Sequence, residues 1–411
     1  MKTKIAIDFG ASRIKSIAFE NKKKIIDKFE TIGSNYFKNK IINPDFFYKS
    51  LIRHLNYYSK KLKFTKIIVC SEMHGYALYN RKKNELSKYF SWRFQTNNLI
   101  TKKTIKELTK KNFEKITGLK ARPGLPIVNW LSDKLNQNER SHSHLCGIGE
   151  ILCVIGGKYY ETLHSTYAQS TGFYKLNNTS FFKKKIFSNK IIKNKKNLIG
   201  KIIFKKEKKN IYGGYGDLQA AFTGANIKNN EILINMGTGS QIILKSNIKN
   251  YKLFEKRNYF NKELNCITHI PSGRSLNLIA EKINKIFKHQ DYFWTSVKKI
   301  KLNNLIECEK TIDLDYFKLK KILNSKQIKK NVTNFIIIVL KSYCDQYINH
   351  INKHSLKKNK YKKIILSGGI PKKIWVIKNY IQLKTGIKTN INNLRVDETL
   401  AGLVKLSKYY S

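Results

Sequence analysis

Residues 211–243, IYGGYGDLQAAFTGANIKNNEILINMGTGSQII, place a lone carboxylate ahead of a glycine-flanked hydroxyl turn. Asp217 follows Gly216 and opens the small-residue run LQAAFTGA, which the pattern predicts as a helix with the carboxylate at its entrance. Two apolar runs, EILINM and QIILK, flank Gly237-Thr238-Gly239-Ser240, the signal of a β-hairpin. A tip of two glycines and two hydroxyls exposes backbone N–H groups and lets a phosphate approach where a Cβ would block it. An acid that can take a proton, beside a turn that can hold phosphate, is equipment for phosphoryl transfer to a hydroxyl. The same turn read alone is also an ordinary steric solution for a tight hairpin.

Two further stretches carry related chemistry. KIAIDFGASRIKSIAFE (4–20) reads as strand, tight turn, strand, with Asp8 at the end of the first strand and facing outward. A carboxylate there can hold a hydrated Mg²⁺, while Gly10 and Ser12 offer an N–H and a hydroxyl to phosphate oxygens and Lys15 supplies a cation. An ordinary turn aspartate is the plainer alternative. YKKIILSGGIPKK (361–373) predicts a strand, a Gly-Gly turn and a helix starting after Pro371, and Gly368 and Gly369 would let a flat adenine ring lie against bare backbone. No Walker A pattern is present, since Gly157-Lys158 lacks the earlier glycine and the following Ser/Thr.

The elements that must position these residues are legible in outline. IIVCSEMHGYALY (67–79) is an apolar strand ending in a polar turn that carries Glu72 and His74. Residues 113–135 give a Gly/Pro-rich turn and then a helix with Ile127, Trp130 and Leu131 on one side, and TLHSTYAQSTGFYKL (162–176) offers small residues for close packing. Residues 182–209, dense in lysine with paired isoleucines, read as a solvated approach with one or two edge strands. In 269–287 a loop enters a helix with Ser272 as its cap, and apolar spacings of three and four predict one long helix over 326–353. His350 and His354 stand one turn apart without a third ligand, which is not the pattern of a zinc site.

The chain's 411 residues suffice for two domains with real cores. Its formal charge of +54 would ordinarily point to nucleic acid. However, 72 of the 81 basic residues are lysines spread along the whole chain beside abundant Asn and Ile, whose codons are likewise A/T-rich. Genome base composition therefore explains the charge better than a nucleic-acid surface, which would favour arginine. Such a field would still draw polyanionic nucleotides into a cleft. Six cysteines without a CxxC pair fit free thiols in a reducing cytoplasm. No signal-peptide core or membrane-length apolar run is present, so a soluble, cytoplasmic protein without a membrane partner is expected.

Taken in order, IDFGASRIK, GDLQAA, NMGTGSQ and ILSGGIPKK resemble the first phosphate motif, catalytic-aspartate segment, second phosphate motif and adenosine motif of the FGGY carbohydrate kinases. The resemblance implies an α/β, two-domain actin-like (ribonuclease-H-like) fold. ATP would lie between an N-terminal domain, 1–212, and a C-terminal domain, 213–411, with Mg²⁺ at Asp8 and Asp217 as general base. SEMHG resembles the GQMHG stretch of xylulokinases and sedoheptulokinases, which makes Met73 and His74 sugar contacts, with Glu72 replacing a glutamine by a pure acceptor. In SWRFQ (91–95) Trp92 matches the family's WxD-type segment, but Phe94 stands where an acid is expected, and Trp92 serves equally as core or sugar platform. VDETLAGLVKLSKYY (396–410) resembles the family's closing helix, which packs on the adenosine site. The implied substrate is a ketose or polyol of the xylulose or sedoheptulose kind, and a homodimer is compatible with the reading. The alternative is an actin-like nucleotide-binding module without sugar kinase activity.

Overall fold

The computed structural model describes residues 3–10, 13–20, 24–32, 40–94, 98–132, 143–177, 179, 186–237, 239–245, 254–316, 318–319, 325–356, 360–394 and 396–410. The chain forms two compact units, one made of 1–226, 255–264 and 396–411, the other of 227–254 and 265–395. The division expected at 212/213 falls inside the strand Glu207–Gly216, whose ladder to Phe64–Ser71 ties residues 213–216 to the first unit.

In the first unit a seven-stranded sheet runs in the order Gly157–Tyr159, Leu198–Phe204, Glu207–Gly216, Phe64–Ser71, Thr3–Phe9, Arg13–Glu20, Lys24–Ile32. Its three central strands are parallel, with Asp8 paired to Cys70 and Gly216 to Ser71. Their carboxyl ends therefore lie side by side, where open α/β sheets bind ligands. Side-chain alternation separates two faces: Ile5, Ile7, Phe9, Ile67 and Val69 pack toward the helices Asp45–Ser59 and Ile148–Gly156, whereas Ala6, Ile68 and Cys70 join Ala220, Leu400, Leu403 and Tyr410.

On that second face the helices Asp217–Ala225 and Glu398–Leu406 cross at glycines. A Cβ on Gly224 would lie 1.8 Å from the Glu398 carbonyl oxygen, and one on Gly402 would lie 1.9 Å from that of Ala220, so the two backbones touch. The closing helix thus packs on the Asp217 helix. Residues 182–209 also differ from expectation. Leu198–Phe204 is an interior strand between two neighbours, and a register shift between Leu198 and Gly200 lets Ile199 join Ile202 and Phe204 in one buried cluster.

The second unit holds the strands 265–270, Ser240–Leu244, Glu231–Met236, Lys363–Ser367 and Lys388–Ile391 in that spatial order. Glu231–Met236 and Ser240–Leu244 form the expected hairpin, Met236 opposite Ser240. The expected single helix over 326–353 is two, Ser325–Lys330 and Val332–Lys353. Asn331 divides them because its backbone leaves the helical region and its side chain accepts from the Asn334 N–H, capping a new helix. Val339, Tyr343, Cys344 and Tyr347 carry that second helix into the core. Among the described residues no helix is long and apolar enough to cross a membrane.

Candidate active site

The first unit gathers four charged side chains at the carboxyl edge of its sheet. Asp8 is the penultimate residue of its strand, opposite Lys15 on one side and Cys70 on the other. It does not face outward: it is 4% exposed, and the Cys70 thiol donates to its Oδ1 at 3.5 Å. Its neighbour Asp397 caps the closing helix by accepting from the Thr399 N–H, and pairs with Lys15 at 2.8 Å. Asp217 is the first residue of its helix and accepts from the Leu218 N–H through Oδ1 at 2.8 Å. A two-glycine bulge precedes it, Gly213 and Gly214 at φ +103° and +66°, where the strand crosses Val69 too closely for any Cβ.

Charge at this edge is out of balance. Burial, then Asp397 and Asp217, push the Asp8 carboxyl up to about 8 against the pull of Lys15. Burial likewise lifts Asp217 to about 6, opposed by its hydrogen bonds and by Arg257. Burial works against the charge on Lys15 and on Asp397, but each is outweighed by the other, so the ammonium is held above its ordinary range and the carboxylate below it. Lys15 answers Asp397 and Asp8, and Arg257 answers Asp217, so three carboxyls outnumber two cations, a balance that suits an added cation. Among the described residues no three His, Cys, Asp or Glu side chains stand at ligating spacing, so a Mg²⁺ at Asp8 would need water and phosphate to complete its shell. Gly10 closes the turn beside Asp8; Ser12 lies outside the described residues.

The SEMHG turn meets the same edge. Met73 packs where Gly216 lacks a side chain, its Sδ 2.9 Å from the position of a Cβ there. His74, at φ +66°, points Nδ1 at the Ser170 carbonyl at 2.6 Å, which fixes that nitrogen as the donor and leaves Nε2 a lone pair. Nε2 faces Arg122 Nη2 at 3.5 Å, and Arg122 Nη1 donates to Glu255 Oε1 at 3.0 Å. Glu255 Oε2 in turn accepts from Arg257 Nη2 at 2.6 Å. Glu72 is held inside the protein, 2% exposed, with Oε1 accepting from Tyr89 and Ser91. Trp92 is half-buried in a turn, with the Arg93 guanidinium 5.4 Å from its ring, and the Phe94 carbonyl accepts from Asn129.

Sequence reasoning missed Asp397, Arg122, Glu255 and Arg257. Only Asp397 left a local signal, as an acid one residue before a small-residue helix. The arginine–glutamate chain joins positions 133 residues apart and has none.

The second unit builds a separate glycine-lined edge. Asn235 pairs with Ser367, so the turns after Met236 and after Ser367 emerge together. A Cβ on Gly239 or Gly369 would meet nothing within 4 Å, whereas Gly368, at φ +94°, has the Met236 carbonyl 2.3 Å from its Cβ position. Ser240 turns its hydroxyl inward to the Asn235 carbonyl and to Tyr347, leaving only its backbone toward the turn; Thr238 lies outside the described residues. The helix Gly273–Phe287 begins against this turn: the Gly273 N–H and Ser272 Oγ both bond to the Gly237 carbonyl at 3.0 Å. Ser272 occupies the cap position, but its hydroxyl is committed to that carbonyl and to Tyr343 instead of its own helix. The short helix Gly369–Lys373 starts before Pro371, because proline in a first turn forfeits no hydrogen bond.

No family model matches the chain, and no curated protein matches it by sequence. Solved structures match over its whole length. Xylulose kinase from Lactobacillus acidophilus gives a TM-score of 0.74 at 14% identity, covering 100% of this chain and 92% of that one. Gluconate kinase from the same organism gives 0.74 at 15%, covering 100% and 89%. Plasmodium falciparum glycerol kinase with ADP gives 0.71 at 12%, covering 100% and 90%. With Asp8 near the end of one parallel strand, Asp217 directly after another, and glycine turns at a second sheet edge, the chain has the α/β, actin-like fold of these carbohydrate kinases.

Proposed function

We propose that the protein is an ATP-dependent kinase of the FGGY type that phosphorylates a hydroxyl of a small sugar or polyol, with Asp217 as the general base. The observation that carries this reading is Asp217 itself. It heads a helix beside the Asp8–Lys15–Asp397 cluster, and its carboxyl is lifted to about 6, ionised at neutral pH yet basic enough to accept a proton. The acceptor hydroxyl gives its proton to Asp217 as its oxygen bonds to the γ-phosphorus, and ADP leaves. The base contributes roughly two to four orders of magnitude; positioning and charge neutralisation supply the rest.

The open backbone at Gly239 and Gly369 suits the phosphates and adenosine of ATP at the turns Gly237–Ser240 and Gly368–Gly369, and the start of the Gly273–Phe287 helix adds an anion-favouring dipole. Asp8 would hold Mg²⁺ through water, with Gly10, Ser12 and Lys15 toward phosphate oxygens; the ion would neutralise charge on the transferring group. Met73 and His74, gathered near Gly216, form the acceptor side, Glu72 and Trp92 flank it, and a ketose such as xylulose or sedoheptulose is the favoured acceptor. Six cysteines without a disulfide among them suit a reducing cytoplasm.

The test is ADP release by the purified chain across C3 to C7 polyols and ketoses. Acceptor-dependent release supports the proposal. The missing acid after Trp92 favours a second reading, a nucleotide-binding module without an acceptor, for which ADP release indifferent to every sugar would decide.

A further inference from the structure

The second unit carries a basic groove of about 660 Å³, lined by Lys362, Lys378, Gln382, Lys388, Thr389 and Asn390. Lys362 directly precedes the strand Lys363–Ser367, and Lys388 opens the outermost strand, Lys388–Ile391, where it pairs in parallel with Lys363. The groove therefore starts at the amino ends of these strands. The Gly368 turn lies at the other end, five residues or roughly 16 Å of strand away, so the groove is distinct from the proposed nucleotide turns. Lys378 and Gln382 stand one turn apart on the helix Val376–Thr385, and Gln382 Oε1 accepts from the Thr389 N–H at 2.9 Å, joining that helix to the sheet edge.

The chemistry of this groove is one-sided. No carboxylate lines it, and among the described residues none of its three ammoniums has a hydrogen-bond or ion-pair partner. Glu231, the acid at the same end of the neighbouring strand, is already taken by the Lys228 N–H at 2.9 Å and Lys363 Nζ at 3.8 Å. Gln382 has spent its oxygen on Thr389, so its amide nitrogen is what it has left to offer. Three like charges around one space repel, and an anion with several acceptor oxygens removes the repulsion while giving each donor a partner. The lining has no apolar or aromatic side chain to hold an acyl chain or stack a base, and the volume is that of a small-molecule site.

We propose that this groove binds a small soluble anion carrying two or more phosphate groups, with Lys362, Lys378 and Lys388 as its cationic contacts, at a site separate from the one proposed for ATP.

The test uses the purified full chain and inorganic pyrophosphate, with the acetylation rate of each lysine by an amine-reactive ester read from peptide masses and sodium chloride at matched ionic strength as the control. Pyrophosphate at about 5 mM should slow labelling of Lys362, Lys378 and Lys388 by about 3-fold or more relative to chloride, as occupancy with a millimolar or tighter Kd requires. Exposed Lys82, in the first unit, should label equally in both salts. Lys378→Gln and Lys388→Gln should each raise the pyrophosphate concentration for half protection of the remaining two lysines roughly 3- to 10-fold, between the loss of an exposed ion pair and that of a charge-assisted hydrogen bond. Lys82→Gln should leave it unchanged. Protection by chloride equal to that by pyrophosphate, or protection no greater than at Lys82, marks an ordinary basic surface and overturns the proposal, as does protection that neither groove variant weakens. Because the readout is confined to the groove's own lysines, pyrophosphate held at the proposed nucleotide turns does not register, and either result leaves the kinase reading where it stood.

Discussion

Asp217→Asn should abolish most of the activity and, at the same time, stabilise the protein. The amide keeps Oδ1 for the Leu218 N–H, so the change removes a charge and a base with little loss of geometry. Losing the base should lower kcat by roughly 10²- to 10⁴-fold, or about 3–5 kcal/mol of transition-state stabilisation. The stability gain follows from the carboxyl's rise from 3.8 to about 6 on folding. A raised carboxyl favours the folded state below its unfolded value, and that benefit is lost as pH climbs through the folded value. Relative to a neutral amide, wild type is therefore penalised increasingly from about pH 4 to pH 6 and constantly above.

Two pH units correspond to about 3 kcal/mol, and solvent reaching this half-buried carboxylate trims the figure to about 1–2 kcal/mol. At about 2–4 °C per kcal/mol, the variant should melt several degrees above wild type at pH 7.5. The difference should shrink to about a third at pH 4.5. Thermal melts at the two pH values and single-turnover phosphorylation are the assays. Turnover within a few-fold of wild type, or a melting difference independent of pH, would refute the role assigned to Asp217.

Three other expectations are open to measurement. The acid limb of kcat/KM should fall near pH 6, where Asp217 takes its proton, and Arg257→Gln should move it upward by removing a neighbouring positive charge; an unmoved limb separates Arg257 from the base. Gly402→Ala drives a methyl into the Ala220 carbonyl, so it should cost about 1–3 kcal/mol in denaturant unfolding and lower activity through the displaced Asp217 helix; an unchanged midpoint would mean that the helices do not touch there. Asn331→Ala should cost about 1 kcal/mol by uncapping Val332–Lys353, and no loss in the same assay would show that the break has another cause.

What could be read from sequence was whatever local pattern dictates. The hairpin around Gly237–Ser240, the helix opened by Asp217 and the strand pair flanking Gly10 each follow from turn chemistry and alternation within some twenty residues. The Lys15–Asp397 pair spans 382 positions, and neither residue announces the other. Asp8 looked like an exposed turn acid because one strand does not show what covers its end; Cys70 and the closing helix do. Spacing predicted a continuous helix across Asn331 because apolar periodicity survives a change of backbone direction, whereas a capping side chain does not alter the pattern. The substrate side was the least legible, since Arg122, Glu255 and Arg257 acquire meaning only once a chain of ion pairs joins them.

The glycine crossing of the two helices has a consequence for biosynthesis. Residues 396–410 supply Asp397, the surface against which the Asp217 helix rests, and the carbonyls of Ser407 and Tyr410 that receive Lys4 and Lys66. A ribosome delivers this segment only after the whole of 227–395 has emerged, so a nascent chain already holding the proposed base and both glycine turns still lacks the wedge that sets the base in place. Premature termination before residue 396 would remove that wedge while sparing every motif on which the proposed activity rests.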